Sequence, residues 1–440
     1  MRAMPAAPPD ASKPARPTLL RAIGRWDLTA AVVNGVIGSA IFGLPARLAA
    51  LVGEWSPLAC VLAGLGILAI VLCFAEVASR FLDPGGPYLY VRESFGGFAG
   101  FQAGWLTFWI RVTAVSANLD VFATSLGELL PAARAGLGRG LAMAAVMALV
   151  TAFNVVGVRQ ATWKVDLFTL AKLLPLLLLI GLGLGRVSGD VLATQRVAQP
   201  DWTQAVLLLV FAYGGFEAPL IPAGEARRPQ RDTAFALLVA LALIAAVYTL
   251  VQLVVVGIVP QVAGSRAPVA DAFRVLLGPA GATLASVAAM VSIYGYATGS
   301  TLQSPRVLFA MSERGELPGL FARVHPRFRT PVAAILAYST LALLLAHFGN
   351  FESNARLSAI VRLVTYGTVC LALLSLRRRR PDDAPGFRLA AAGVVAPLGA
   401  LFCLYLLTTR TFDQVWLLGA FVLAGVGLWA ARRPVAPQPA

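Results

Sequence analysis

Charge is scarce in this chain. Asp, Glu, Lys and Arg make up 13% of its 440 residues, against 58% hydrophobic residues. Soluble domains carry roughly a quarter of their residues as charges, so a water-surrounded globule is excluded. Histidine is nearly missing too: His325 and His347 are the two present, without HExxH-type spacing. With no P-loop either, metal hydrolysis and ATP-driven pumping by this chain find no support, and neither enzyme activity, cofactor nor metal is expected. The four cysteines, Cys60, Cys73, Cys370 and Cys403, lie inside apolar stretches. They read as small packing residues rather than as an external disulfide framework. Residues 1–20 hold no apolar core, so no signal peptide is expected.

What is abundant is apolar sequence long enough to cross a bilayer, which takes roughly 20 residues per crossing. About twelve such stretches are expected, near 27–49, 57–79, 98–126, 138–156, 165–185, 203–224, 234–259, 280–310, 332–348, 356–376, 390–409 and 414–431. A shorter one at 268–277 predicts an external helix. The net charge of +15 would suit nucleic acid, but its placement argues otherwise. Basic residues crowd the N-terminal tail and alternate loops, including Arg227, Arg228, Arg231 and Arg377 to Arg380, while the opposite loops hold fewer. The positive-inside rule then puts both termini in the cytoplasm of a multi-pass plasma (inner) membrane protein. Residues 1–24 and 434–440 are expected to be disordered cytoplasmic tails.

Two of the apolar stretches are interrupted at mid-span. One reads Val36-Ile37-Gly38-Ser39-Ala40-Ile41-Phe42-Gly43-Leu44-Pro45; the other reads Phe211-Ala212-Tyr213-Gly214-Gly215-Phe216-Glu217-Ala218-Pro219. In lipid an unwound turn survives only where protein, water or ligand satisfies the freed backbone groups. Paired interruptions in corresponding halves point to a solute site. Glycines that merely let helices approach are the plainer reading, but they leave Pro45 and Pro219 unexplained. Opening a turn frees N–H groups at one half-helix end, suited to a carboxylate, and C=O groups at the other, suited to an ammonium. A zwitterion presents both.

Several pieces in order along the chain carry a family resemblance. They are Ile37 to Phe42, Gly85-Gly86-Pro87-Tyr88 through Phe95-Gly96, Thr169 to Leu174, Phe211 to Glu217, Gly224-Glu225-Ala226-Arg227-Arg228-Pro229 and Arg314-Gly315-Glu316-Leu317-Pro318. With these the chain resembles the amino acid–polyamine–organocation (APC) family of amino acid permeases. The resemblance implies an all-α membrane fold of the leucine-transporter-like 5+5 inverted repeat type. Repeat 1 covers about 25–186 and repeat 2 about 200–376, with two accessory helices in 377–433.

The resemblance also implies site residues. The amides of Ser39, Ala40 and Ile41, with the Ser39 hydroxyl, bind a substrate carboxylate. Carbonyls of Val36, Ile37, Phe211, Ala212 and Gly214 face the amino group, and the Phe211 ring acts as a lid. Many relatives carry glycine where this chain has Ala40. Lys172, with a carbonyl of the first break and the Ser300 hydroxyl as partners, occupies the place of a coupling cation, which makes sodium coupling unexpected.

From the residues themselves, Lys172 either snorkels or pairs, or gives up its proton. Glu217 is either a proton-titrating contact beside the substrate or an acceptor tying the unwound turn to a neighbouring helix. Arg111, Asn118, Asp120 and Arg362 are intramembrane polar groups without an assigned role; Arg111 and Asn118 share a helical face. Arg306 snorkels or anchors a gate, and Glu225 is a solvated or gate-forming charge.

The expectation is a sodium-independent, proton-coupled permease of neutral amino acids, with protons, lipids and a small amino acid or amine as its partners. A cationic amino acid or polyamine exchanger is the alternative. A membrane enzyme and a channel rank lower, for want of metal spacing and of continuous polar pore linings. The loop from Gly127 to Gly138 lacks cysteine, so no disulfide-linked heavy chain is expected.

Overall fold

A computed structural model describes residues 24–81, 85–157, 162–220, 228–383 and 385–432. Glu225, Arg227 and the tail segments 1–23 and 433–440 lie outside these residues. Among the described residues the regular elements are all helices. In chain order they are α1 (Arg25–Val36), α2 (Ala40–Val52), α3 (Ser56–Ser79), α4 (Gly86–Phe95), α5 (Gly97–Leu129), α6 (Gly136–Val156), α7 (Thr162–Gly183) and α8 (Gly189–Ala193). Then follow α9 (Trp202–Tyr213), α10 (Pro229–Ile258), α11 (Pro268–Gln303), α12 (Pro305–Glu313), α13 (Val332–Phe348), α14 (Phe351–Arg379), α15 (Ala392–Thr408) and α16 (Phe412–Ala431).

Among the described residues, seven helical segments are long and apolar enough to cross a membrane: Ala40–Ser79, Gly136–Val156, Leu167–Arg186, Gln230–Ile258, Pro268–Glu313, Phe351–Arg379 and Phe412–Ala431. Three shorter apolar helices are α9, α13 and α15. The chain is a multi-pass helical membrane protein. Its outward faces carry apolar side chains such as Leu65, Leu137, Leu174 and Leu423, all exposed, as lipid contact requires.

Local sequence explains where helices begin. The Gly24 amide donates to Asp27 Oδ2 (2.9 Å) at the start of α1. Asp201 Oδ1 accepts from the Gln204 amide (2.9 Å) at the start of α9, and Asn350 with Ser353 forms a capping box before α14. Gly278, at φ 69°, breaks α11, so residues 268–277 form a separate turn of helix ahead of the long segment.

The core gathers around the interrupted elements. The α1 helix packs on α7 and α10; α9 packs on α2, α3 and α14; α5 runs against α11, α13 and α14. In contrast, α16 lies at the edge and buries only Phe421 and Gly425. The interrupted helices therefore sit where other helices can satisfy their open backbone.

Candidate solute site at the two helix breaks

The first break falls at residues 37–39, between α1 and α2. Ile37 turns extended (φ −73°, ψ 97°), which ends α1. Neighbouring helices satisfy most of what the break frees. Lys172 Nζ donates to Asn34 O (3.0 Å) and Ile37 O (2.8 Å). The Ser292 hydroxyl donates to Gly38 O (3.2 Å), and the Ser39 amide donates to Asn118 Oδ1 (2.8 Å). Three groups stay open. The amides of Ala40 and Ile41, in the first turn of α2, have no intrahelical acceptor. The Ser39 hydroxyl between the half-helices is fully buried and has no partner among the described residues.

The second break follows α9. Gly214 is extended (ψ 153°) and Gly215 takes φ 126°, a backbone that side chains rarely adopt. A Cβ on Gly215 would also lie 2.1 Å from Gly35 O, so the second break packs directly against the last turn of α1. Here too protein donors hold the carbonyls. Arg362 Nη1 donates to Phe211 O (3.1 Å), the Tyr248 hydroxyl to Ala212 O (3.1 Å) and Arg111 Nη2 to Gly215 O (3.1 Å).

Glu217 organises this turn. One carboxylate oxygen accepts the Gly215 amide (2.9 Å) and the Tyr366 hydroxyl (2.7 Å). The other faces Arg111 Nη2 at 3.1 Å and Arg362 Nε at 3.5 Å. Glu217 is wholly buried, and the two arginines are 2% and 1% exposed. Opposite charge and hydrogen bonds together offset the cost of holding these groups out of water. Between the two sequence readings of Glu217, this geometry is that of an acceptor tying an unwound turn to α5 and α14.

The residues expected at the site are all buried around the breaks: Val36, Ile37, Ser39, Ala40 and Ile41 from the first, Phe211, Ala212, Gly214 and Glu217 from the second. The Phe211 ring stands edge-on to Phe351 at 6.1 Å and beneath the Arg362 guanidinium at 5.8 Å. Lys172, fully buried, reaches the first break rather than snorkelling. Ser300 corrects its expected contact with Lys172. Its hydroxyl sits 2.7 Å from Tyr338 Oη, which in turn donates to Arg111 O at 3.1 Å. The reason is spatial: α11 turns Ser300 toward α13 and α5, while Lys172 donates to two carbonyls at the end of α1.

Asp120 is placed away from the breaks, paired with Arg139 (2.6 Å) and accepting the Phe351 amide (3.0 Å) at the start of α14. Sequence reading left Arg111 and Arg362 without partners and did not single out Tyr248, Ser292 or Tyr366. The shared face of Arg111 and Asn118 was the available signal, since both reach the breaks.

Two cavities are lined in part by residues next to the first break. One is lined by Phe42, Val121, Thr124, Ser125 and Arg266. The other is lined by Asn34, Gly35, Arg111, Ala218, Tyr296, Ser300 and Gln303.

The sequence profile of the family described as amino acid permease matches residues 23–423. A methylthioribose transporter of Bacillus subtilis is 30% identical over 88% of this chain and 88% of its own length. A serine/threonine exchanger of the same organism is 27% identical over 93% of this chain and 95% of its own. A branched-chain amino acid permease, also from B. subtilis, is 27% identical over 92% of each chain.

Proposed function

The chain belongs to the amino acid permease family of membrane transporters, and from that premise we propose that it carries a small amino acid across the plasma membrane by alternating access. The observation that carries this reading is the open donor end of the first break: two amides without intrahelical acceptors beside the fully buried, unpartnered Ser39 hydroxyl. A carboxylate fits that end, where the N-terminal dipole of α2 also favours it. The relatives' names, spanning methylthioribose, serine/threonine and branched-chain amino acids, agree with a small polar solute.

The proposed architecture is twelve crossings in two inverted five-helix units, about 25–186 and about 200–376, followed by the accessory α15 and α16. In this count α1 with α2 forms the first crossing, and α9 with the residues after it forms the sixth. Both termini lie in the cytoplasm. Transport is proposed to be independent of sodium and linked to protons through Lys172, whose ammonium bridges the two carbonyls at the end of α1. Gaining or losing that proton changes what holds the first break together. Ser300 has no part in this contact. The chain is proposed to act without a disulfide-linked partner, in keeping with its four buried, free cysteines.

The neutral side-chain preference rested on the want of a second charge cluster. Arg111, Glu217 and Arg362 supply one, with more cations than anions. That balance weighs against the alternative of a cationic amino acid or polyamine exchanger.

The test is uptake of labelled amino acids into proteoliposomes, with and without a pH gradient or internal amino acid. The expected result is saturable uptake, unchanged by replacing sodium with potassium and stimulated by an inward proton gradient. Lys172→Ala is expected to abolish the stimulation while the protein stays monodisperse. Pulling the proton link down takes only one result, a Lys172→Ala protein with full pH-gradient stimulation.

A further inference from the structure

We propose that the preferred solute bears net negative charge, an acidic amino acid ahead of neutral or cationic ones. The inference rests on reading the two breaks as the substrate site, and it follows from how that site's donors and acceptors are distributed.

An ammonium is suited to the C-terminal end of a half-helix, where carbonyls and the negative dipole end converge. At each end the protein's own cations already hold part of the carbonyl set. Lys172 occupies Asn34 O and Ile37 O at the end of α1, and Arg362 occupies Phe211 O at the end of α9. Gly38 O, Ala212 O and Gly215 O also have protein donors, from Ser292, Tyr248 and Arg111. An incoming ammonium therefore meets Lys172 and Arg362 beside the carbonyls it would use, so extra positive charge on the solute is disfavoured there. The anion-binding end is the open one, at the amides of Ala40 and Ile41 with the orphan Ser39 hydroxyl.

The charge balance points the same way. Counting guanidiniums alone, Arg111 and Arg362 face the single carboxylate of Glu217. Among the described residues, the other carboxylates buried in the helical body are engaged elsewhere. Glu76 is held by Arg80 and Arg377, and the less buried Asp120 by Arg139. A neutral zwitterion leaves this surplus of positive charge unchanged. A dicarboxylic amino acid brings one more negative charge into a site where low dielectric strengthens the attraction. Arg111 can meet it: the residue lines a cavity together with Asn34 and Gly35, in the last turn of α1 just before the first break. Asn34, 8% exposed, lines the same cavity, and its Oδ1 has no partner among the described residues, leaving an acceptor for a substrate N–H.

The experiment is a thermal-shift titration of the purified full chain with aspartate, glutamate, serine, leucine, arginine, putrescine and succinate, since a ligand that binds the folded state raises apparent stability. Aspartate or glutamate is expected to act at concentrations about tenfold or more below serine and leucine, with arginine and putrescine silent. Neutral or cationic amino acids acting at lower concentration than the acidic ones would overturn the charge inference and leave the amino acid reading intact. A response to succinate with none to any amino acid does the reverse. Silence across the whole panel overturns both. As a second arm, Arg111→Gln, checked for monodispersity, is expected to erase the acidic-over-neutral ratio; a wild-type ratio in that variant counts against the proposal.

Discussion

Ser39 offers the sharpest single-residue test of the site, because its hydroxyl is fully buried and has no partner among the described residues. Removing a hydroxyl that bonds no described residue costs little stability, so Ser39→Ala should keep stability within about 0.5 kcal/mol of wild type. If the hydroxyl bonds the solute, affinity should drop about five- to tenfold, the loss of roughly 1 kcal/mol of hydrogen bonding. Titration by thermal shift reads both, and unchanged affinity would count against a substrate role for Ser39. Glu217 is the opposite case. Glu217→Gln strands two buried guanidiniums, and breaking a buried pair in this way costs on the order of 3–5 kcal/mol. A large fall in apparent Tm is expected; Tyr366→Phe, which deletes one bond to the same carboxylate, should cost less, about 1.5–3 kcal/mol. Equal stability of Glu217→Gln and wild type would show that the arginines do not depend on it. Both residues were legible as unusual in the sequence, one by its place in a break and the other by the cost of a mid-membrane carboxylate. The partners of Glu217 were not, because they come from α5 and α14, more than a hundred residues away.

Among the elements, the broken helices depend on each other. Gly215 combines φ 126° with a Cβ position 2.1 Å from Gly35 O, so a side chain there is opposed by conformation and by contact. Gly215→Ala should push the two breaks apart and lose at least about 2 kcal/mol, from strain and overpacking together. Transport should fall with it, measured as initial uptake rate per folded protein. An active, equally stable alanine variant would mean that the breaks are not locked together. The interruptions themselves could be located from Gly38-Ser39 and Gly214-Gly215 in the sequence. Helix faces were harder. An apolar helix in lipid lacks a polar side to mark its orientation, so the turn of α11 that sends Ser300 to Tyr338 was not readable from spacing.

At the level of the whole molecule, the basic residues that set the expected orientation also build ion pairs at helix ends. Glu76, fully buried at the end of α3, holds Arg80 and Arg377 and accepts the Leu389 amide at 2.8 Å. Glu316, after α12, holds Arg92 of α4 at 2.6 Å and accepts from the Tyr88 hydroxyl at 2.9 Å. Burial, and next the Glu316 carboxylate, push the Tyr88 phenol above its ordinary value. These clusters brace α3, α4 and α14 on the side proposed to be cytoplasmic. Fusions check the orientation: green fluorescent protein at either terminus should fluoresce, and alkaline phosphatase at the same points should be inactive. Active phosphatase at either end would reverse the assignment.

Composition alone determined that this chain lives in a membrane, because 13% charge cannot cover a water-exposed surface, and the paired small-residue interruptions determined where its helices open. Which groups close those openings was decided only by tertiary structure. Lys172 and Arg362 cap the ends of α1 and α9, and Glu217 is shared between two arginines. The physical reason is that a freed backbone group must be satisfied inside lipid but not by any particular neighbour in sequence. The packing of distant helices selects the partner, and with it the sign of the charge the site has left to offer.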